Sequence, residues 1–231
     1  MKVPKYGQAE LVEAETSFTT YQEFQSMLTR DRIDIFMVGE FDDYQVLQAL
    51  HRFPLEGRQV DLQFSYSQPY VNVVKEKIEP RQSSQSILQL GYQFPCQYGD
   101  KDYFALIVFN AMFGEFAHSA LFTTLREKEG LAYSISSQFD IFTGLLEVYA
   151  GIEKSNRDQA MRGISRELNY IKLGRFSSSL LNQTKKIIRM NALLSEDHAL
   201  TLVEQRFNKV IFGDKSLSLE NWLDEIEKAV S

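Results

Sequence analysis

The sequence has 231 residues, enough for one large domain or one and a half at about 150 residues per domain. Hydrophobic residues make up 44% of it, and Lys plus Arg number 25 against 31 Asp plus Glu, a formal charge of -6. That balance excludes a basic binder working by neutralisation of nucleic-acid phosphates, and 12 Gly with 5 Pro are too few for a chain of disordered linker.

The first 15 residues read as irregular. Thr20 with Glu23 then reads as a capping box, opening a helix with Tyr21, Phe24, Met27 and Leu28 on one side. Ile33 to Val38 is a compact apolar run ending at Gly39, the pattern of a buried strand. Asp42 with Gln45 caps a second helix carrying Val46, Leu47, Leu50 and Phe53, closed by Pro54. From Glu56 to Gln85 the texture changes to short extended pieces broken by Pro69, Pro80 and charges, which reads as a linker.

Beyond it, Leu88, Leu90, Tyr92 and Phe94 alternate as a strand. Asp100 caps a deeply buried helix, Tyr103 to Phe113, with Gly114 as its left-handed stop. A second helix covers about Ser119 to Lys128 and stops at Gly130. Two strands follow, around Tyr133 to Phe139 and from Leu145 to Ile152, joined as a hairpin. Four helices complete the chain, starting near Ser155, Ser177, Leu200 and Ser218. Strands gathered before helices argue for an α+β layer, a mainly antiparallel sheet with helices on one face.

Chemistry is sparse. His51, His118 and His198 are scattered, with no HxxEH or HExxH motif, so each reads as structural or solvated and no metal site is expected. Cys96 is the only cysteine, which excludes an internal disulfide and suits a reducing compartment; with no base near it in sequence it reads as an inert thiol. No nucleophile elbow, phosphate loop or dinucleotide fingerprint occurs. The pairs Glu127/Glu129 and Asp224/Glu225 read as solvated helix surface. No apolar run approaches the roughly 18 residues that span a bilayer. The N-terminal residues carry acids where a signal peptide is apolar. The expected setting is the cytoplasm.

One stretch stands apart: LFTTLREKEGLAYSIS, residues 121–136. It resembles the second-half signature of the pitrilysin, insulin-degrading-enzyme and mitochondrial-processing-peptidase family of zinc metallopeptidases. The surroundings agree in order: IFMVGEFD, SILQLGYQFP, FNAMFG, then GLLEVYAGI and a helix carrying Lys185. The resemblance implies paired α+β domains around a peptide-binding chamber. The first domain of an active pair bears HxxEH and zinc. The second has no zinc and contributes an arginine and a tyrosine, here Arg126 and Tyr133.

The residues themselves allow that role. Gly130 permits a reversal between Arg126 on a helix and Tyr133 on the next strand, so both side chains can meet one cleft. A phenolic hydroxyl donates to a developing oxyanion, and a guanidinium fork holds a carbonyl or carboxylate. The plain alternative pairs Arg126 with Glu127 or Glu129 and packs Tyr133 in the sheet.

The resemblance further implies that residues 1–55 are the terminal helix, strand and helix of a preceding domain, 56–85 a linker, and 86–231 a second domain lacking its last strand. Without HxxEH the chain is expected to be inactive alone. It would bind peptide and complete the chamber of a zinc-bearing homologous domain or subunit, holding no cofactor itself. The alternatives are the second-domain part of an active metalloendopeptidase whose HxxEH lies upstream, and a structural assembly module.

Overall fold

The computed structural model describes residues 8–53, 55, 71–80 and 82–230, and the chain divides into two units, Met1–Leu62 and Gln63–Ser231. Pro54 and most of the expected linker pieces, including Leu62, Phe64, Tyr66 and Pro69, lie outside the described residues.

In the first unit, α1 (Ala9–Ala14) occupies a stretch expected to be irregular. Next comes α2 (Ser17–Arg30), which starts earlier than the Thr20–Glu23 pattern suggested. Thr16 is the N-cap, accepting from Thr19 N at 3.2 Å while its own N–H donates to Thr19 Oγ1 at 3.0 Å. This reciprocal pair leaves Thr20 inside the first turn, its hydroxyl bonded back to Thr16 O at 2.9 Å. Asp42 caps α3 (Asp43–Leu50) as expected, accepting from Tyr44 N at 2.8 Å.

The expected strand from Ile33 to Val38 does not form. A strand is completed by a neighbour's backbone, and no other strand exists among the described residues of this unit. None of α1, α2 and α3 contains a buried residue.

The second unit holds an antiparallel sheet of three strands, β1 (Ser86–Gln93), β2 (Ala132–Asp140) and β3 (Leu145–Ile152), in the order β1-β3-β2. In the β2–β3 hairpin, Gly144 N donates to Asp140 O at 2.9 Å, and Phe142 N to Asp140 Oδ1 at 2.9 Å. One face of the sheet places Leu88, Ile135, Leu146, Val148 and Ala150 in or against the core. The opposite face carries a polar row, with Gln138 Nε2 donating to Glu147 at 3.2 Å and Gln89 Nε2 at 3.5 Å.

Helices cover the apolar face. The buried helix α4 (Tyr103–Asn110) starts at Asp102, not Asp100, which instead accepts from Gln97 N at 2.8 Å and shapes the preceding turn. It continues as a π-helical turn, Ala111–Glu115, so Gly114 lies inside the helix and is not left-handed. The glycine serves close approach. A Cβ there would lie 2.6 Å from Ser137 Oγ and 2.7 Å from Ser137 N on β2. Ser137 Oγ donates to Asn110 Oδ1 at 2.8 Å, and Asn110 Nδ2 donates to Glu115 Oε2 at 2.9 Å. Asn110 and Ser137 are buried and so need these partners.

Next come α5 (Arg157–Lys172), α6 (Ser178–Ser195), α7 (Ala199–Phe212) and α8 (Leu219–Lys228). Ser177 and Ser218 act as the N-caps of α6 and α8. Lys185, 7% exposed, donates from Nζ to the Glu227 carbonyl at 2.6 Å, tying α6 to the C-terminal end of α8. Val108, Met112, Phe113, Leu121, Leu125, Val148 and Ile164 form the centre of the core. The architecture is α+β, with helices on one face of an antiparallel sheet, as expected from the order of elements.

Candidate functional site

The segment Phe122–Lys128 is π-helical, a wider coil than an α-helix. At its end, Glu129 N donates to Thr124 O at 2.9 Å and Leu131 N to Leu125 O at 2.8 Å, reaching back five and six residues. Gly130 makes the reversal with φ +61°, where a side chain would be strained. Leu125 anchors the segment in the core while Arg126, the next residue, points to solvent.

Arg126 lays its guanidinium over the Phe122 ring, 4.5 Å from the centroid. Glu129 is instead engaged by Arg166, with Nη2 to Oε1 at 2.6 Å. Among the described residues Arg126 makes no ion pair, so the expected alternative of pairing with Glu127 or Glu129 is not what forms. Its fork of donors is open to an incoming carbonyl or carboxylate.

Tyr133 owes its direction to a β-bulge. Ala132 pairs with Ile152 and Ser134 with Gly151, so Tyr133 is the extra residue between two consecutive partners on β3. The regular alternation of buried and exposed positions breaks there, leaving both Tyr133 and Ser134 facing out. Bulges re-aim side chains in this way. Tyr133 is 55% exposed and does not pack inside the sheet.

The phenol has a partner that inspection of the local sequence does not reveal. Tyr133 Oη donates to Glu153 Oε1 at 2.7 Å. Glu153 follows the last residue of β3 and begins a 3-10 turn without using its side chain as a cap. The bond to this carboxylate raises the phenol's pKa, because it favours the protonated form. Counting back from the Asp140–Gly144 turn along an antiparallel register was the signal that could have found Glu153. No hydrogen bond joins Arg126 to Tyr133 among the described contacts; each has its own partner on either side of Gly130.

The remaining chemistry-bearing residues are dispersed. His118 Nε2 lies 2.9 Å from Thr184 Oγ1 and its ring stacks on Phe116. His51 and His198 flank α3 and α7 as cap residues. Burial, with Asp100 and Asp102 nearby, pushes the Cys96 thiol up, away from thiolate reactivity. Glu225 pairs with Lys228 at 2.9 Å. Among the described residues no group of three or more His, Cys, Asp or Glu is placed to hold a metal ion.

A family profile described as Peptidase M16 inactive domain matches residues 21–188. The chain belongs to the M16 peptidase family. This M16 chain is 35% identical over 222 residues to a Bacillus subtilis (strain 168) protein named "Probable inactive metalloprotease YmfF", covering 96% of this chain and 52% of that protein. A crystal structure of a conserved protein from Enterococcus faecalis V583 superposes with a TM-score of 0.90 at 35% identity, covering 99% of this chain and 54% of that one. A protease from Helicobacter pylori shares the fold, with a TM-score of 0.61 at 18% identity over 82% of this chain and 47% of that one. The M16 chain thus spans about half the length of these relatives. Among its described residues no helix is long and apolar enough to cross a membrane.

Proposed function

We propose that this chain is a noncatalytic M16 domain that binds peptide through Arg126 and Tyr133 and completes the chamber of a zinc-bearing homologous domain or subunit. The observation that carries the reading is the exposed pair itself: an arginine with no carboxylate partner among the described residues and a tyrosine bulged out of its strand, with a left-handed glycine in the turn between them. The name of the Bacillus subtilis relative, an inactive metalloprotease, supports a noncatalytic role. In this reading residues 86–231 are the second domain, 56–85 the linker, and 1–55 the end of a preceding domain. Zinc would enter only with the partner, where it would supply an activated water. The setting is cytoplasmic, in keeping with a single cysteine.

Chemically, the Arg126 fork would take a peptide carbonyl or terminal carboxylate, and the exposed Tyr133 phenol would meet the adjoining main chain. The test is co-expression with an M16 protein that carries HxxEH, followed by binding and cleavage of a fluorescein-labelled unstructured peptide with a free C-terminal carboxylate. Arg126→Ala is expected to weaken binding about fivefold, the scale of one ordinary net hydrogen bond of about 1 kcal/mol. Unchanged binding and cleavage in both Arg126→Ala and Tyr133→Phe would remove the pair from the function.

A second reading is favoured by the relatives' length, about twice that of this chain, and by a 23% identical Bacillus subtilis relative named a zinc protease. There, the chain is the second-domain part of an active metalloendopeptidase. An in-frame HxxEH preceding Met1 in the coding sequence selects it.

A further inference from the structure

The bond between Tyr133 and Glu153 bears on what the tyrosine can do. A phenol has a single hydrogen to donate, and here Tyr133 Oη donates it to Glu153 Oε1, the two oxygens 2.7 Å apart. The acceptor is a carboxylate, and bonds to ionised acceptors are roughly twice as strong as those to neutral ones. A peptide carbonyl is neutral, so it competes for the proton at a disadvantage.

The backbone builds this contact. The bulge turns Tyr133 out at the start of β2, and the ladder places Ala132 opposite Ile152, the residue just before Glu153. Glu153 does not cap the 3-10 turn that it begins, so its side chain is free to reach the phenol. Neither residue is buried, so incoming peptide can reach both.

We infer that Glu153 is a latch on Tyr133: its carboxylate holds the phenolic proton away from bound peptide and thereby sets how tightly the Arg126–Tyr133 site grips a peptide carbonyl. The inference rests on the peptide-binding reading above. Glu153 is a positioning residue, acting through Tyr133. The upward shift of the phenol's pKa has the same origin.

The experiment measures affinity for the same fluorescein-labelled peptide in the co-expressed complex, for wild type, Glu153→Gln, Glu153→Ala, and each of these combined with Tyr133→Phe. Thermal unfolding verifies that every variant is folded. Glu153→Ala releases the proton and is expected to tighten binding about threefold, with Glu153→Gln, a neutral acceptor, giving a smaller gain. Both gains are expected to vanish in the Tyr133→Phe background, where no phenolic proton exists to be released. A gain that persists with Tyr133→Phe is a charge effect of Glu153 on the peptide and overturns the latch. Unchanged or weaker binding in Glu153→Ala overturns it as well. Arg126→Ala separates the two readings. Loss of binding there without a gain at Glu153→Ala sinks the latch alone. No binding by wild type or Glu153→Ala sinks the peptide-binding reading and the latch with it.

Discussion

His118 shows how a side chain without catalytic neighbours still acquires a defined role. Its ring stacks on Phe116 and its Nε2 meets the fully buried Thr184 hydroxyl at 2.9 Å. Burial lowers its pKa from 6.5, since the charged form loses hydration there. The unfolded chain therefore binds the proton more readily than the folded one. The stability associated with neutral His118 is fully present above about 6.5 and is lost as pH falls through the folded value. Denaturant midpoints at about pH 7.5 and 5.5 test this. Wild type should lose more stability between them than His118→Gln, and equal losses would contradict it. Arg126 and Tyr133 were legible as residue types flanking a glycine, but their surroundings were not. Glu129 goes to Arg166, 37 residues away, and Tyr133 goes to Glu153, 20 residues away. Side-chain partners at such distances exist only once the register is set.

Between elements, the tightest constraint is Gly114. Its missing Cβ allows the π-helical turn Ala111–Glu115 to lie directly on β2, the strand that carries Tyr133. Gly114→Ala would press a methyl group against Ser137 N, a backbone atom that cannot swing aside. A destabilisation of about 3 kcal/mol is expected, the upper range for overpacking a dense interior, read by urea denaturation. A change within about 0.5 kcal/mol, typical of unconstrained sites, would show that the turn relaxes freely. Caps were legible where the signal is local: Asp42, Ser177 and Ser218 each bond a backbone N–H two or three residues on. Thr16 and Thr20 carry the same chemistry one turn apart, and the reciprocating Thr19 decides between them. Gly114 read as a stop because glycine permits a left-handed turn, but it served contact instead. The sequence alone does not distinguish those two uses.

At the scale of the molecule, the two units differ in what they bury. Among the described residues the core comes entirely from the second unit, while α1, α2 and α3 contain no buried residue. Opening free energy follows burial and backbone bonding. Hydrogen exchange on the full chain should therefore show little protection for residues 17–50 and strong protection for Leu145–Ile152. Equal protection in the two would refute this.

Much was determined by the sequence itself: the α+β class, the family, the order of elements in the second unit and the Arg126–Gly130–Tyr133 arrangement. The class and the element order rest on composition, periodicity and spacing, and the family on the resemblance carried by residues 121–136, all of them properties of neighbouring residues. Tertiary structure alone decided three things. Ile33 to Val38 does not take up a strand despite its strand-like pattern. Gly114 sits inside a helix against β2, and the Tyr133 hydroxyl donates to Glu153. Each depends on which backbone lies beside which, and strand pairing, close packing and long-range hydrogen bonds are contacts between segments that no single segment encodes.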